Sequence, residues 1–309
     1  MKLLVPLDTS EIAEQAVSVA AGIAKARTVS DIRLLLVHQP IRYGGYLDAP
    51  WNAARFSMER AYLEERARQL RSLVAATVVA DHLTGSPVEA IAEIAASTQV
   101  SLIVMTTHGR TGVSRVWLGS VADGVVRSAG VPVLMLRPTT EPSTAEQHDV
   151  GVFSRVLIPL DGSSAAESIL HPALELAGPN ASYILARIVQ PVPLLIPGVD
   201  PSTLTSMVPD PSATELVLAD ARQYIEKVAD RLAKQGVNAT EQCVELGERT
   251  ASMLLDAAKT RDVDLIALST HGRGMTRLFV GSVADKLLRG SAMPLLVSRR
   301  PAHGEHTTA

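Results

Sequence analysis

Short apolar runs alternate along this chain with segments of helical periodicity. In the first half, five β-rich runs predict strands and four intervening segments predict helices. In the longest helical segment, Phe56, Leu63 and Leu70 recur every seven residues, and Leu73 and Val74 join the same apolar face. The predicted strands cover about residues 2–7, 31–38, 77–83, 100–106 and 131–137, and the predicted helices about 10–26, 53–75, 87–98 and 120–129.

The second half repeats the first, motif by motif and in the same order. Residues 5–10 recur at 158–163, 107–110 at 270–273, 119–123 at 281–285 and 131–134 at 293–296. A repeat of this length is a duplicated domain and not a solenoid unit. We therefore expect a first domain over 1–138, a polar linker over 139–152 and a second domain over 153–300.

Strand–helix alternation in both halves indicates an α/β fold with right-handed crossovers and helices on both faces of a parallel sheet. The continuous apolar run at 102–105 is typical of a strand that is covered on both faces. We expect two tandem five-stranded parallel sheets. The strands of the second half are predicted at about 155–160, 182–189, 238–245, 264–269 and 294–298. Its largest departure is the proline-rich segment 190–212, predicted as an extended flap.

Composition adds limits to this picture. Of the 309 residues, 47% are hydrophobic but only 3% are aromatic, so the core must be aliphatic. The single cysteine, Cys243, excludes a disulfide scaffold and is predicted to lie in the core. The most apolar stretch, 183–199, is interrupted by Arg187 and by prolines, so no membrane span is expected. An acidic residue as early as Asp8 argues against a signal peptide, and a soluble cytoplasmic protein is expected.

The charge distribution argues against nucleic acid as a partner. With 29 Lys and Arg against 32 Asp and Glu, the net charge is −3, and neither half carries the basic excess that phosphate backbones require.

Candidate chemistry follows the predicted strands, because ligands of open α/β sheets bind beyond the carboxyl ends of the strands. Asp8 follows the first strand, and Asp161 follows its repeat. A carboxylate there can accept hydrogen bonds from ribose hydroxyls or from an adenine amine. The alternative is that Asp8 or Ser10 caps the next helix.

A glycine-bounded loop follows the fourth strand of the first half. Gly109 allows close backbone approach to a ligand, and Gly119 with Ser120 opens a helix whose free amides can bind an anion. The alternative is a structural capping pair of Ser120 with Asp123. Both interpretations apply equally to Ser282 and Asp285 in the second half.

Taken together, these motifs resemble the universal stress protein family in its tandem two-domain form. The resemblance rests on the strand-end Asp, the His-Gly-Arg segment, Gly-Ser-Val-Ala and the closing hydrophobic-Pro-hydrophobic strand, all present in both halves. It implies the family's Rossmann-like fold, also called adenine nucleotide alpha hydrolase-like, in which the first and fourth strands are neighbours. It also implies that the closing strands of the two halves pair within the chain, with pairing between chains in a homodimer as the alternative.

Members that bind ATP carry the pattern Gly-x2-Gly-x9-Gly-Ser/Thr. Here Thr106 stands at the first glycine, where its Cβ can crowd the backbone or its hydroxyl can supply a hydrogen bond. In the second half Ser269 takes that position, and the loop from Gly272 to Gly281 is one residue short. The resemblance implies an ATP site that is better preserved in the first half, with Mg²⁺ arriving together with the nucleotide.

The resemblance assigns base and ribose contacts to one set of residues and phosphate-side contacts to another. The first-half residues are Pro6, Leu7, Asp8, Val37, Thr106, His108, Gly109, Gly119, Ser120 and Val121. The second-half residues are Pro159, Leu160, Asp161, Ile188, Ser269, Gly272, Gly281, Ser282 and Val283.

Other candidates are weaker. His108 and His271 suit loop positioning as well as phosphate contact, and the loop arginines Arg110, Arg115, Arg273 and Arg277 can screen phosphate charge. His38 and His171 have no companion at metal-ligand spacing, so no protein-built metal site is expected.

Three functions remain open from the sequence. The favoured one is a nucleotide-binding stress-response module without a catalytic residue. No Gly-x-Gly-x-x-Gly, P-loop or Gly-x-Ser-x-Gly motif indicates a familiar enzyme. The alternatives are a paired-domain scaffold that binds no nucleotide and a slow ATP-hydrolysing enzyme. The sequence names no protein partner.

Overall fold

A computed structural model describes residues 1–43, 46–47, 49–107, 118–137, 152–194, 209–237, 239–270 and 281–299. The predicted linker, apart from residue 152, and most of the proline-rich segment therefore lie outside the described residues. So do the loops 108–117 and 271–280.

The first half contains seven strands and four helices among its described residues. The strands are β1 (Lys2–Leu7), β2 (Asp31–His38), β3 (Arg42–Tyr43), β4 (Tyr46–Leu47), β5 (Thr77–Thr84), β6 (Leu102–Thr106) and β7 (Val133–Leu136). The helices are α1 (Glu11–Ala26), α2 (Ala49–Arg71), α3 (Pro87–Ser97) and α4 (Ser120–Ser128).

The second half repeats this order. Its strands are β8 (Arg155–Pro159), β9 (Ser182–Val189), β10 (Thr240–Leu246), β11 (Leu265–Ser269) and β12 (Leu295–Ser298). Its helices are α5 (Ser164–Glu167), α6 (Leu170–Ala177), α7 (Pro211–Lys234), α8 (Thr250–Thr260) and α9 (Ser282–Gly290).

The predicted elements are all present, with three local differences. Helix α2 ends at Arg71, so Leu73 falls beyond it and is 57% exposed; its placement on the buried face was wrong, whereas Leu63 and Leu70 are buried. The short hairpin β3–β4 was not predicted. The counterpart of α1 is split into α5 and α6, and Pro172 lies in the first turn of α6, where its missing N–H is tolerated.

The two halves join into a single ten-stranded sheet, in the order β10-β9-β8-β11-β12-β7-β6-β1-β2-β5. Each half is parallel, and the first and fourth main strands are neighbours, as β1 with β6 and β8 with β11. At the centre β7 runs antiparallel to β12, with Leu134 opposite Leu296. The predicted pairing of the closing strands within the chain is therefore confirmed.

The core consists of two aliphatic layers, one on each face of this sheet. Helices α1, α2, α5, α6 and α7 pack on one face, and α3, α4, α8 and α9 pack on the other. Leu134 belongs to the first layer and Met135 to the second, because successive strand residues point to opposite faces. Cys243 is buried in the second layer, as predicted. Among the described residues, no helix has the length and apolarity to cross a membrane.

Arginines reinforce the junction between the halves in a nearly two-fold symmetric way. Arg137, just after β7, donates to the carbonyl of Leu288 near the end of α9. Arg299, just after β12, donates to the carbonyl of Arg127 near the end of α4. A cation at a helix C-terminus satisfies carbonyls that have no partner within the helix and complements the helix dipole.

We expect Arg137→Ala to lower the free energy of unfolding by about 2 kcal/mol, because a charge-assisted hydrogen bond is lost at a half-buried site. Urea unfolding measures this. Arg60→Ala, at an exposed position of α2, serves as the control and should change the stability by no more than about 0.5 kcal/mol. An Arg137→Ala variant as stable as the parent would contradict the stabilising role of Arg137 at the junction.

Candidate functional site

The carboxyl ends of β1, β2 and β6 surround a cavity of about 300 Å³ in the first half, called the first cavity below. The starts of α3 and α4 and one turn of α2 complete its wall. The predicted site residues on this wall are Pro6, Leu7, Asp8, Val37, Thr106, Gly119, Ser120 and Val121.

The second half has a larger counterpart, the second cavity, of about 640 Å³. It lies where β8, β9 and β11 end and α9 begins. The predicted site residues on its wall are Pro159, Leu160, Asp161, Ile188, Ser269, Gly281, Ser282 and Val283. Because β7 and β12 are antiparallel and each half is otherwise parallel, the two cavities open at opposite edges of the sheet.

Three predicted site residues cannot be placed. His108, Gly109 and Gly272 lie outside the described residues, as do His271 and the four loop arginines Arg110, Arg115, Arg273 and Arg277.

Asp8 orients a helix cap and lines the first cavity at the same time. The Ser10 hydroxyl accepts a hydrogen bond from the amide of Ala13 at 3.2 Å, and so caps α1. That hydroxyl and the Ser10 amide donate to Oδ1 of Asp8 at 2.6 and 3.0 Å. In the second half, the Ser163 amide donates to Oδ1 of Asp161 at 2.9 Å. The capping alternative therefore holds for Ser10, while both aspartates stand on cavity walls.

The turn that carries each aspartate has a left-handed residue. Thr9 has a φ of 69°, a conformation that costs a non-glycine residue free energy, and Gly162 has a φ of 86° at the equivalent position. The same backbone geometry is thus kept in both halves although the residue differs.

Helices α4 and α9 begin at the cavities without a side-chain cap. Their N-cap residues are Gly119 and Gly281, which have no side chain, and so no N-cap side chain bonds the first amides of either helix. Gly119 and not Ser120 is the N-cap residue of α4, and Asp123 accepts from Nε of Arg127 at Oδ2 at 2.8 Å, so the alternative of a capping pair of Ser120 with Asp123 was wrong. The N-terminus of each helix, with its positive dipole end and its first free amides, lies at a cavity wall, so the starts of α4 and α9 both suit an anion.

The two N-cap glycines are held against the preceding strand. The Gly119 amide donates to the carbonyl of Thr107 at 2.8 Å, and the Gly281 amide donates to that of Thr270 at 2.9 Å. A Cβ at Gly281 would lie 3.3 Å from the Thr270 carbonyl oxygen, so a side chain there would press on the strand end.

A buried polar cluster beside the first cavity was missed by the sequence analysis. Glu59 of α2 is 4% exposed, and its Oε2 lies 2.7 Å from Nδ1 of His38 and 3.3 Å from Nε2 of His82. Arg55 donates from Nε to the other oxygen, Oε1, at 2.8 Å. Phe56 stacks on the His82 ring with centroids 4.1 Å apart. Arg55 and Glu59 both line the cavity.

The cluster keeps Glu59 ionised. Burial alone would raise the pKa of its carboxyl, but the hydrogen bond with His38, the charge of Arg55 and the hydrogen bond with His82 together lower that pKa below its ordinary value. A signal was present in the sequence, because Glu59 stands at helical spacing between Phe56 and Leu63 on the apolar face of α2.

The second half has only apolar residues in place of the cluster. The strand registers pair Pro6 with Leu35 and Pro159 with Ala186. By this and the equivalent registers of β5 and β10, His38 corresponds to Val189 and His82 to Val244. Aligning Tyr62 of α2 with Tyr224 of α7 places Ala221 at the position of Glu59 and Val217 at that of Arg55. The fold therefore does not need the cluster, and the two cavities differ chemically.

The second cavity has a different charged residue. Arg187 of β9, at the position of Leu36, lines the cavity and is 9% exposed. Its guanidinium carbon lies 5.0 Å from the centroid of the Tyr224 ring.

Comparison with known proteins agrees with this architecture. The model of the universal stress protein family matches residues 1–137 and again residues 153–299. A universal stress protein of Mycobacterium tuberculosis is 27% identical over 229 residues, which cover 72% of this chain and 70% of that protein.

Solved structures also match. A universal stress protein from Archaeoglobus fulgidus has the same fold, with a TM-score of 0.67 at 20% identity over 97% of this chain and 98% of that one. Another universal stress protein, solved in complex with cAMP, matches 45% of this chain and 98% of its own at 24% identity. Its TM-score is 0.35.

We expect Glu59→Ala to lower the free energy of unfolding by about 3 kcal/mol, because it leaves the buried groups around it without their anion. The triple variant His38→Val, Glu59→Ala, His82→Val copies the second half at three of the four cluster positions and should cost less than Glu59→Ala alone, because it also removes the two buried imidazoles. Urea unfolding at neutral pH measures both, with the exposed Glu64→Ala as the control. A triple variant that is less stable than the single one would contradict this account.

The cluster also predicts a pH dependence. Because the pKa of Glu59 is lower in the folded than in the unfolded state, its carboxylate stabilises the fold at any pH above the unfolded-state pKa. This stabilisation is lost as the pH falls through the folded-state pKa. The parent should therefore lose stability below about pH 4.5 more steeply than the triple variant, which lacks this carboxylate. Parallel slopes would show that Glu59 contributes nothing to the acid sensitivity.

Proposed function

Since the chain belongs to the universal stress protein family and contains its domain twice, we propose that it binds ATP or a related adenine nucleotide at its strand ends, as a regulatory module of the stress response. The domains would cover 1–138 and 153–300 and act in the cytoplasm. The observation that carries the proposal is the meeting of Asp8, Val37 and the uncapped start of α4 on one cavity wall.

In the first cavity, different residues would contact the ribose, the base and the phosphates of the nucleotide. The Asp8 carboxylate would accept hydrogen bonds from the ribose, and the base would lie towards Val37 at the end of β2. The amides of Ser120 and Val121 would face the phosphates, where the α4 dipole stabilises negative charge. The family resemblance adds Thr106, His108 and Gly109 on the phosphate side. Magnesium, arriving with the nucleotide, would neutralise phosphate charge.

The second cavity would use the equivalent residues Asp161, Ile188, Ser282 and Val283. Its shorter loop, from Gly272 to Gly281, makes it the weaker ATP site under this proposal. A paired-domain scaffold without nucleotide and a slow ATP-hydrolysing enzyme are the alternatives that the experiments below separate.

Mass spectrometry of the supernatant released by heating the purified protein tests whether an adenine nucleotide is bound. We expect ATP or ADP to be found there, since a nucleotide held at a helix start survives purification when its affinity is high. If ATP added to the purified protein neither binds nor is hydrolysed, the scaffold alternative is correct. Steady release of phosphate from ATP would favour the enzyme.

Calorimetric titration with ATP tests the position of the site. Gly119→Val should weaken ATP binding to the first cavity about tenfold or more, because Gly119 lines the cavity at the start of α4 and a branched side chain there would compete with the ligand. Gly130→Val is the matched control, since a Cβ at Gly130 meets no atom within 4 Å. Equal ATP affinity in Gly119→Val and in the parent would refute the assignment.

The closing strands already pair inside the chain, so we propose a monomer in solution. Size-exclusion chromatography with light scattering measures the molar mass. A mass near twice 32.8 kDa would instead support the homodimer.

A further inference from the structure

Arg187 is a buried cation without an anionic partner among the described residues. It is 9% exposed, and no carboxylate in that part of the chain lies within salt-bridge distance of its guanidinium. Its guanidinium stacks over the face of the Tyr224 ring, with the guanidinium carbon 5.0 Å from the ring centroid. A cation–π contact restores only part of the hydration that a guanidinium loses on burial.

The neighbouring carboxylates already have other donors. Glu167 accepts from the Tyr224 hydroxyl at 2.9 Å and from Arg231 at 2.6 Å. Asp161, on the same cavity wall, accepts from the Ser163 amide at 2.9 Å. Neither forms an ion pair with Arg187.

In the first half, the arginines at the equivalent place have carboxylate partners. The equivalent of Arg187 is Leu36, which is buried in the aliphatic core. There the cation near the equivalent tyrosine, Tyr62, is Arg66 of α2, and it pairs with Glu14 at 3.2 Å. The arginine on the first cavity, Arg55, pairs with Glu59. Only in the second half does a nearly buried arginine of the cavity wall lack a carboxylate among the described residues.

We propose that Arg187 binds a phosphate group of a ligand in the second cavity. The planar guanidinium presents parallel donors that match a phosphate, and a buried site strengthens such a pair. Arg187 directly precedes Ile188, the base-side residue of the proposed function, but successive strand residues point to opposite faces of the sheet, so the two side chains contact different parts of a ligand. The start of α9 lines the same cavity, across β8 from Arg187, and attracts negative charge as well. The second cavity would thus select phosphorylated ligands through a residue that the first cavity lacks. The proposal rests on the proposed function in taking a nucleotide as that ligand.

The test replaces Arg187 by the residue of the first half. Arg187→Leu and the parent are compared in the Gly119→Val background, so that binding reports the second cavity. Calorimetric titrations use ATP, tripolyphosphate and adenosine. We expect Arg187→Leu to weaken the binding of ATP and of tripolyphosphate by a factor of at least about thirty, the effect of removing one partner of a buried charge pair. The affinity for adenosine should change by no more than about twofold.

Thermal unfolding without ligand provides an independent measurement. Removing a buried charge that has no anionic partner should leave the melting temperature unchanged or raise it by a few degrees, at roughly 2–4 °C per kcal/mol for a chain of this size. Higher stability combined with weaker anion binding cannot come from misfolding. Arg187→Lys, which keeps the charge but loses the planar donors, should bind tripolyphosphate with intermediate affinity.

Arg222→Leu is the matched control, because Arg222 is exposed on α7 and does not line the cavity. It should bind all three probes as the parent does. If Arg187→Leu binds ATP and tripolyphosphate like the parent, or if it melts lower and binds unchanged, the proposal is overturned and Arg187 is a packing residue of Tyr224. If tripolyphosphate binds through Arg187 but ATP binds neither cavity, the phosphate site stands and the proposed nucleotide function fails.

Discussion

The antiparallel pairing of β7 with β12 is the constraint on which the rest of the molecule depends. Each half is a five-stranded parallel sheet whose last strand would otherwise expose unpaired backbone groups at an edge. Pairing these edges merges both halves into one sheet and both aliphatic cores into continuous layers. It also makes the strands of the two halves run in opposite directions, so the two cavities open at opposite ends of the strands. One small ligand therefore cannot bridge them, and each cavity can diverge by itself.

The divergence is visible in where charge is buried. Beside the first cavity, Glu59 gathers two histidines and Arg55 around one carboxylate. The second half fills the same space with Val189, Val244 and Ala221. In exchange it carries Arg187 on its cavity wall, where the first half has Leu36. The duplicated backbone thus carries a buried carboxylate paired with Arg55 beside one cavity, and on the other an arginine that pairs with no carboxylate among the described residues. Such a difference in charge pairing matters most where the charges are buried, because the interior screens them weakly.

Most of the fold, and the position of the candidate ligand residues at the strand ends, could be predicted because both depend on local sequence patterns. Alternation of apolar runs with helical periods predicted every main strand and helix, and repetition predicted the duplication. Asp8 and Asp161 were correctly expected at strand ends, and structure places them on cavity walls. The errors are equally instructive. Leu73 matched the apolar period of α2, but the helix ends two residues earlier. The capping alternative failed as well, because Gly119 and not Ser120 is the N-cap residue of α4, and Asp123 pairs with Arg127 one turn later.

By itself, the sequence determined the α/β class, the tandem repeat and the strand-end positions of the candidate ligands, because hydrophobic periodicity and turn chemistry are properties of neighbouring residues. The tertiary structure alone decided that His38, Glu59 and His82 meet, since they come from two strands and a helix and their spacing along the chain carries no mark of contact. It likewise decided that Arg187 lies nearly buried with no carboxylate of the described residues within salt-bridge distance. Whether a charge finds a counterion depends on distances across the packed layers, which only the folded chain defines.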